Sequence, residues 1–342
     1  MGLRRETVAV TPSPNESHPP VDTASLPLPS FALGTAILAD GPRAVALFAG
    51  NLLHLDSVAG HLGLATPITT RAVLGEWDRV LPVLRALAEA GSGTWTPLQE
   101  APLSAPIEPR QILQAGANYR THVIDLAVKH ADTSDGRTED QVRADAAAMM
   151  DQRAAEGEPY FFVGLSSAVT GPYDTVVLPA GTHKNDWELE LVAVVGRSAY
   201  RLSVDEAMDA IAGYTIANDL TTRELVFRRD MPDIGTDWLR AKNAPGFLPL
   251  GPWIVPKEDA GDVSEMRLTL ELDGRAMQDE STRDMLFDVA ALVSALSWSV
   301  QLTPGDLILT GSPAGNGMRW GRFLRGGDVM TSTITGLGYQ KT

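Results

Sequence analysis

Apolar and polar residues alternate along this chain in short stretches, and strand-like stretches outnumber helical ones. Helical spacing of apolar residues predicts helices over residues 77–90 and 288–302, and Ser203 with Glu206 three residues later predicts a capped helix over residues 203–211. Short apolar runs predict strands over residues 44–48, 175–179, 187–195, 251–255, 267–272 and 306–309. The pattern predicts an α+β, β-rich fold.

Changes in composition divide the chain into three parts. Residues 1–26 are rich in Pro, Ser, Thr and Asn, which predicts a flexible tail. Residues 27–105 predict a small N-terminal α+β domain, and a proline-rich stretch marks its end. Residues 106–342 predict a larger, β-rich domain. Its polar, alanine-rich stretch predicts a surface helix, and we interpret about 118–158 as a lid.

Charge and cysteine content exclude several classes of function. The chain has 28 Lys and Arg against 43 Asp and Glu, and its net charge of -15 argues against nucleic acid or an anionic membrane as partner. It contains no cysteine, so any metal must be held by oxygen or imidazole. No apolar run approaches the roughly 18 residues that span a bilayer, and no secretory signal is evident, so we expect a cytoplasmic protein.

Three acidic residues in apolar surroundings are candidate metal ligands. Glu188 and Glu190 are one residue apart, so in a strand both side chains point to the same face. Buried together they would repel each other unless a cation or proton intervened, although a half-exposed strand explains the pair alone equally well. Asp219 ends another apolar run and adds a third oxygen ligand. This set suits Mg²⁺, Mn²⁺ or Ca²⁺, whereas zinc more often recruits histidine.

A histidine and an acid form a second candidate group. If their segment is helical, His122 and Asp125 lie three residues apart on one face, where the carboxylate can orient the imidazole to take a proton from water. A surface histidine near an acid is the simpler alternative, since such neighbours are frequent and weak.

A glycine-rich run and two cations complete the candidates. Glycines in residues 302–317 bring backbone N–H groups close to a ligand, so the loop that includes Thr310, Gly311 and Ser312 could bind an oxyanion. It fits neither the dinucleotide pattern nor the P-loop, and a plain turn cluster is the alternative. Lys242 and Arg223 could bind a substrate carboxylate, although such side chains more often lie on the surface as solvated charges.

These motifs together resemble the fumarylacetoacetate hydrolase superfamily, from about Pro109 to the C-terminus. The matching runs are residues 117–122, 186–191, 213–219 with Arg223, 250–253 and 304–315. Five such runs in the same order are highly specific, whereas the N-terminal part resembles the variable first domain of the family only loosely.

The resemblance implies a mixed β-roll catalytic domain with flanking helices, and a homodimer. It implies Glu188, Glu190 and Asp219 as metal ligands, His122 with Asp125 as the water-activating pair, and Lys242 as the lysine near the metal. The family more often has glutamate where Asp125 stands. A second lysine that often follows the Phe161-Phe162 run is also missing, because Val163 stands there. This departure concerns the substrate more than the metal.

The implied activity is hydrolysis of a C–C bond in a β-diketone or acylpyruvate-like 2,4-dioxo acid, with Mg²⁺ or Mn²⁺ as cofactor and Ca²⁺ also compatible. His122 would activate water for attack on the distal carbonyl, and the carbanion would leave as an enolate that the cation stabilises. We assign substrate contacts to Tyr119, Arg120, Arg223, Thr310, Gly311 and Ser312. Decarboxylation of a 2-oxo acid or keto–enol isomerisation is an alternative, and a catalytically silent binding protein is a more distant one.

Overall fold

The computed structural model describes residues 28–131 and 136–342, so the predicted tail lies outside the described residues. The described chain is α+β and rich in β-sheet, which confirms the predicted fold class. None of its helices is both long enough and apolar enough to cross a membrane.

The N-terminal part is an antiparallel five-stranded sheet covered by helices. The strands are β1 (Phe31–Leu38), β2 (Gly41–Phe48), β3 (Asn51–His54), β4 (Trp95–Pro97) and β5 (Leu103–Ser104), in the order β4-β3-β2-β1-β5. The helices are α1 (Ala59–Leu62), α2 (Thr70–Gly75) and α3 (Trp77–Glu89). Helix α3 confirms the helix predicted there, because Val80, Leu81 and Leu84 repeat at helical spacing and are buried.

The larger part holds the remaining elements. Its strands are β6 (Ile112–Gly116), β7 (Tyr160–Gly164), β8 (Val169–Thr170), β9 (Asn185–Asp186), β10 (Leu189–Val195), β11 (Ile211–Asn218), β12 (Thr221–Thr222), β13 (Leu248–Pro249), β14 (Val255–Pro256), β15 (Arg267–Leu272), β16 (Arg275–Ser281), β17 (Leu307–Leu309), β18 (Met330–Ile334) and β19 (Gly338–Lys341). Its helices are α4 (Arg120–His130), α5 (Glu139–Glu156), α6 (Val204–Ala207), α7 (Trp238–Lys242), α8 (Val289–Ser299) and α9 (Gly317–Trp320).

A six-stranded mixed sheet forms the centre of this part, in the order β14-β11-β10-β17-β6-β7. Two of its inner strands, β10 and β11, pair antiparallel and are buried along their whole length. Burial on both faces explains why they read as continuous apolar runs. A four-stranded antiparallel sheet, ordered β16-β15-β18-β19, packs against this centre and shares its apolar core.

Several predicted elements differ from the observed ones. The strand predicted over residues 187–195 begins only at Leu189, because Asp186 pairs with Thr221 in a separate two-stranded ladder. The strand predicted over residues 175–179 is wrong, since that segment is irregular. The capping box of Ser203 and Glu206 is confirmed, but only one α-helical turn follows before a 3₁₀ turn.

The N-terminal sheet and the larger part are in direct contact. Leu33 of β1 exchanges backbone hydrogen bonds with Ile254, with N···O distances of 2.9 and 2.8 Å. Both main apolar clusters contain residues from both parts. The predicted domain boundary at residue 105 falls between β5 and β6, and two independent domains stay a prediction.

Helices α4 and α5, which lie in the predicted lid, pack on each other through a small apolar cluster of their own. Ile124 of α4 meets Ala146 and Met150 of α5, and these three form a cluster separate from the two main ones. In general, segments with few buried apolar contacts open locally at lower free energy than the main core of a protein. The lid role stays a prediction.

Replacing Gly213 by alanine should strongly destabilise the protein. A Cβ at Gly213 would lie 2.1 Å from the backbone oxygen of Val255, so strands β11 and β14 could not keep their spacing. We expect the free energy of unfolding to fall by at least about 2 kcal/mol, measured by urea denaturation. Gly75→Ala is the matched control, because nothing lies within 4 Å of a Cβ there. Equal losses in the two variants would contradict the packing argument.

Candidate metal centre

Three carboxylates converge where β10 begins and β11 ends. One oxygen from each of Glu188, Glu190 and Asp219 lies within 4.8 Å of the other two, and all three residues are buried. The backbone fixes this arrangement, because Asp219 donates its N–H to the carbonyl oxygen of Glu188 at 2.8 Å and Glu188 donates its N–H to the side chain of Asn218 at 2.9 Å. The structure therefore brings together the three acids that the sequence predicts as ligands; we call them the acidic triad.

Two cations contact this triad. The ammonium of Lys242 donates to Glu188 Oε2 at 2.6 Å, to the Asp219 carboxylate, and to Thr221 Oγ1 at 2.8 Å. The guanidinium of Arg223 joins Glu188 Oε1, at 2.5 Å, to Asp186 Oδ2, at 2.8 Å. Both cations therefore bind protein carboxylates.

Charge balance shows that the site fits a divalent cation. The triad and Asp186 supply four buried carboxylates, and Lys242 and Arg223 supply two positive charges, so two negative charges remain uncompensated when all are ionised. The effect is seen in the pKa values of Glu190 and Asp219. Burial and the neighbouring Asp219 raise the pKa of Glu190 well above its usual range, and burial raises the pKa of Asp219 to about 6. Three buried oxygen ligands with this excess charge suit Mg²⁺ or Mn²⁺.

The pKa of Glu188 is lowered, whereas the pKa values of Glu190 and Asp219 are raised. Burial alone would raise the pKa of Glu188, but Arg223 and Lys242 favour the ionised form and hold the pKa at about 2. One carboxylate of the triad therefore stays ionised across the physiological pH range.

His122 is buried on α4 beside this centre. Burial lowers the pKa of its imidazole to about 4, with Glu188 opposing and Arg223 supporting the change, so the ring is neutral at pH 7. A neutral imidazole can accept a proton.

Asp125 does not contact His122 through any hydrogen bond in the part of the chain that the structure describes. One of its oxygens accepts from Arg143 Nη1 of α5 at 3.1 Å, and the other lies 3.3 Å from Arg319 Nε of α9. The orientation of His122 by Asp125 therefore stays a prediction.

The glycine-rich loop lies directly against the triad. Gly311 donates its N–H to Glu190 Oε2 at 2.8 Å, and Thr310 donates its hydroxyl to the Leu191 carbonyl oxygen at 3.0 Å. Ser312 accepts from the side chain of Gln278 at 3.0 Å. The loop is thus held by the strand that carries Glu190.

The two other residues assigned to substrate binding have different surroundings. Tyr119 is completely buried, and burial raises its pKa although the nearby side chain of Thr310 acts in the opposite direction. Arg120 instead forms a surface ion pair with both oxygens of Asp151 on α5, at 2.7 and 3.0 Å. Its substrate contact stays a prediction.

Two buried residues at the site had no place among the sequence candidates. Gln114 of β6 lies beside Asp219, where its amide favours the ionised carboxylate, and its Oε1 has no partner among the described residues. A single amide in an apolar strand matches no motif. Asp186 accepts N–H groups from Trp187 at 2.9 Å and Gly317 at 2.5 Å as well as from Arg223. Its place two residues before Glu188 was the signal that could have found it.

Several known proteins are similar to this chain in sequence and in fold. The family model described as "Fumarylacetoacetate (FAA) hydrolase C-terminal" matches residues 111–342. A 2,4-didehydro-3-deoxy-L-rhamnonate hydrolase from Sphingomonas sp. (strain SKA58) is 38% identical over 187 residues, which are 54% of this chain and 64% of that protein. The match thus covers less than two thirds of that relative's length.

Two solved structures extend the similarity to nearly the whole chain. A fumarylacetoacetate hydrolase from Exiguobacterium antarcticum is 26% identical with a TM-score of 0.70, over 91% of this chain and 98% of that one. A 5-carboxymethyl-2-hydroxymuconate delta-isomerase from Mycobacterium smegmatis is 26% identical with a TM-score of 0.64, over 91% and 96%. Since the family model covers more than half of the chain, including the triad and His122, the chain belongs to the fumarylacetoacetate hydrolase family.

Proposed function

We propose that this protein is a divalent-metal-dependent hydrolase that cleaves a C–C bond in a β-diketone or acylpyruvate-like 2,4-dioxo acid. The observation that carries the proposal is the buried acidic triad with a neutral, buried histidine beside it. Membership of the fumarylacetoacetate hydrolase family supports it, as does the relative that is named a hydrolase.

Glu188, Glu190 and Asp219 would hold Mg²⁺ or Mn²⁺, with Ca²⁺ also compatible, and the ion would polarise the oxygens of the substrate as a Lewis acid. Lys242 contributes positive charge where the substrate carboxylate would lie. Arg223 keeps Glu188 in place through its two ion pairs. We propose that Tyr119 and the loop of Thr310, Gly311 and Ser312 line the substrate site.

His122 acts as the base in this mechanism. It takes one proton from water while the water oxygen attacks the distal carbonyl carbon, and the nearby Glu188 stabilises the imidazolium that forms. The C–C bond between the attacked carbonyl carbon and the adjacent CH₂ group then breaks, and its electron pair stays on the 2-oxo acid fragment as an enolate. The enolate carbon takes the proton back from His122. One water and one diketone give one carboxylic acid and one 2-oxo acid.

A second candidate is decarboxylation of a 2-oxo acid or keto–enol isomerisation at the same centre. The specific observation in its favour is that Asp125 binds Arg143 and Arg319 rather than His122, so the pair that would activate water is not assembled. Both reactions need an enolate and no attacking water. One solved structure of similar fold is also named an isomerase.

Substitutions in the triad and at His122 should separate metal binding from chemistry. Glu190→Ala should abolish Mn²⁺ binding in calorimetry, because the site loses a buried ligand. His122→Ala should keep Mn²⁺ binding but lower the hydrolysis rate by at least about 100-fold, measured as loss of the diketone absorbance of an acylpyruvate. His61→Ala is the matched control, since His61 is exposed on α1 and should change neither property.

The same assay distinguishes the alternatives. Release of CO₂ from oxaloacetate without loss of any diketone would favour the decarboxylase. A Glu190→Ala protein that is fully active in EDTA would contradict the proposal that the reaction needs a metal at the triad.

Metal affinity should rise with pH. Burial raises the pKa of Asp219 to about 6 and raises the pKa of Glu190 well above its usual range, so protons compete with a metal for both carboxylates at acidic pH. Deprotonation removes this competition, and the dissociation constant for Mn²⁺ should fall at least about 10-fold between pH 5 and pH 7. Calorimetry at each pH, with circular dichroism to check the fold, measures this. A dissociation constant that does not change with pH would count against the triad as the binding site.

A further inference from the structure

Three aromatic side chains lie together beside Lys242. The rings of Phe162 on β7 and Trp238 on α7 are stacked, with centroids 5.0 Å apart and planes at 20°. Trp238 Nε1 donates to the hydroxyl of Tyr160 at 2.9 Å, and the Tyr160 ring lies 6.2 Å from that of Phe162. We call Tyr160, Phe162 and Trp238 the aromatic wall.

The aromatic wall adjoins the acidic triad. Lys242 Nζ is 5.4 Å from the centre of the Phe162 ring and 5.7 Å from that of Trp238, and the same atom donates to Glu188 at 2.6 Å. Strand register gives the same result independently. Phe162 pairs with Gln114 across β6 and β7, so their side chains share a face, and Gln114 lies beside Asp219.

The wall is only partly covered by the protein. Phe162 and Trp238 are half-buried, and the exposed fraction of Tyr160 is 46%. Strand β7 is also an edge strand of its sheet, so no further strand of that sheet lies on its outer side. Aromatic surface of this kind next to convergent polar groups is typical of a ligand pocket, where the apolar part of a ligand gains affinity by burial.

The cations around the triad already have acidic partners. A second carboxylate on the substrate would need an unpaired cation, since a buried charge without a partner is costly. Each cation described above around the triad and on the neighbouring helices binds a protein carboxylate: Lys242 and Arg223 bind Glu188, Arg120 binds Asp151, and Arg143 and Arg319 bind Asp125. Lys242 and Arg223, the two cations in contact with the triad, are therefore not free to bind a second carboxylate of the substrate.

We propose that the acyl group of the substrate is aryl or otherwise apolar, and that it packs against Phe162 and Trp238. The proposal rests on the proposed diketone hydrolase and names its substrate class: a 2,4-dioxo acid with one carboxylate and an apolar tail. Lys242 stands between the two regions, so the oxo acid end lies at the triad and the tail at the aromatic wall.

The test compares three diketones with the same reacting end. Benzoylpyruvate carries an aromatic tail, acetylpyruvate a methyl group, and succinylpyruvate a second carboxylate. With Mn²⁺ present, kcat/KM should be at least about 10-fold higher for benzoylpyruvate than for either of the others, because only its ring can be buried against the wall. Equal values, or a preference for succinylpyruvate, would overturn the proposal.

Variants of the wall should change this preference selectively. Phe162→Ala should reduce the ratio of kcat/KM for benzoylpyruvate to that for acetylpyruvate at least about 5-fold, since the aromatic contact is lost. Phe162→Leu serves if the alanine variant does not fold, and it should reduce the ratio in the same direction. Leu239→Ala is the matched control, because this neighbour on α7 is 61% exposed and should leave the ratio unchanged. A Phe162 variant that changes the oligomeric state and not the ratio would mean that a second copy covers the wall, and would overturn the proposal.

A binding measurement separates this proposal from the proposed function. Phenylpyruvate and pyruvate share an oxo acid end and lack the second carbonyl, so neither can be hydrolysed by this route. In calorimetry with Mn²⁺, phenylpyruvate should bind at least about 10-fold more tightly than pyruvate, and Phe162→Ala should remove the difference. If phenylpyruvate binds more tightly while no diketone is cleaved, the result supports the aromatic wall as a binding site and contradicts the proposed hydrolase activity. If diketones are cleaved but phenylpyruvate binds no more tightly than pyruvate, the result supports the hydrolase activity and contradicts the aromatic wall as a binding site.

Discussion

Mutual repulsion of buried carboxylates is the constraint on which the rest of this structure depends. Glu188, Glu190 and Asp219 lie within 4.8 Å of one another at the ends of two strands that are buried on both faces. Such an arrangement costs free energy unless positive charge compensates it. Lys242 and Arg223 compensate in part: Arg223 acts mainly on Glu188, and Lys242 acts on both Asp219 and Glu188. Burial and the uncompensated negative charge raise the pKa of Glu190 and of Asp219, and they make the site suited to a divalent cation.

The neighbouring elements are arranged by the same network. Arg223 reaches Glu188 from one side and Asp186 from the other, and Asp186 in turn accepts the N–H of Gly317, where α9 begins. Gly311 contacts Glu190 in a similar way. The glycine-rich loop and α9 are therefore positioned by the acids of the centre, and the backbone N–H groups of this segment help to offset the buried negative charge.

The sequence predicted which acids come together better than it predicted the contacts that surround them. Alternation placed Glu188 and Glu190 on one face, and the structure brings them together with Asp219 although the strand begins only at Leu189. Local patterns sufficed for α3 and for the cap at Ser203, because these depend on residues a few positions apart. Contacts between segments distant in sequence could not be predicted in this way. Gln114 beside Asp219 and the stacking of Phe162 on Trp238 arise only when β6, β7 and α7 meet.

The position of Asp125 connects the predicted lid to the predicted base. Helix α4 carries both His122 and Asp125, and Asp125 binds Arg143 of α5 and Arg319 of α9. The ion pairs that hold α4 against its neighbours therefore also set where the imidazole stands relative to the triad. A carboxylate that orients a histidine must face it, and here it faces two guanidinium groups. Under the proposed function, orienting His122 and holding α4 against its neighbours would therefore compete for the one carboxylate of Asp125.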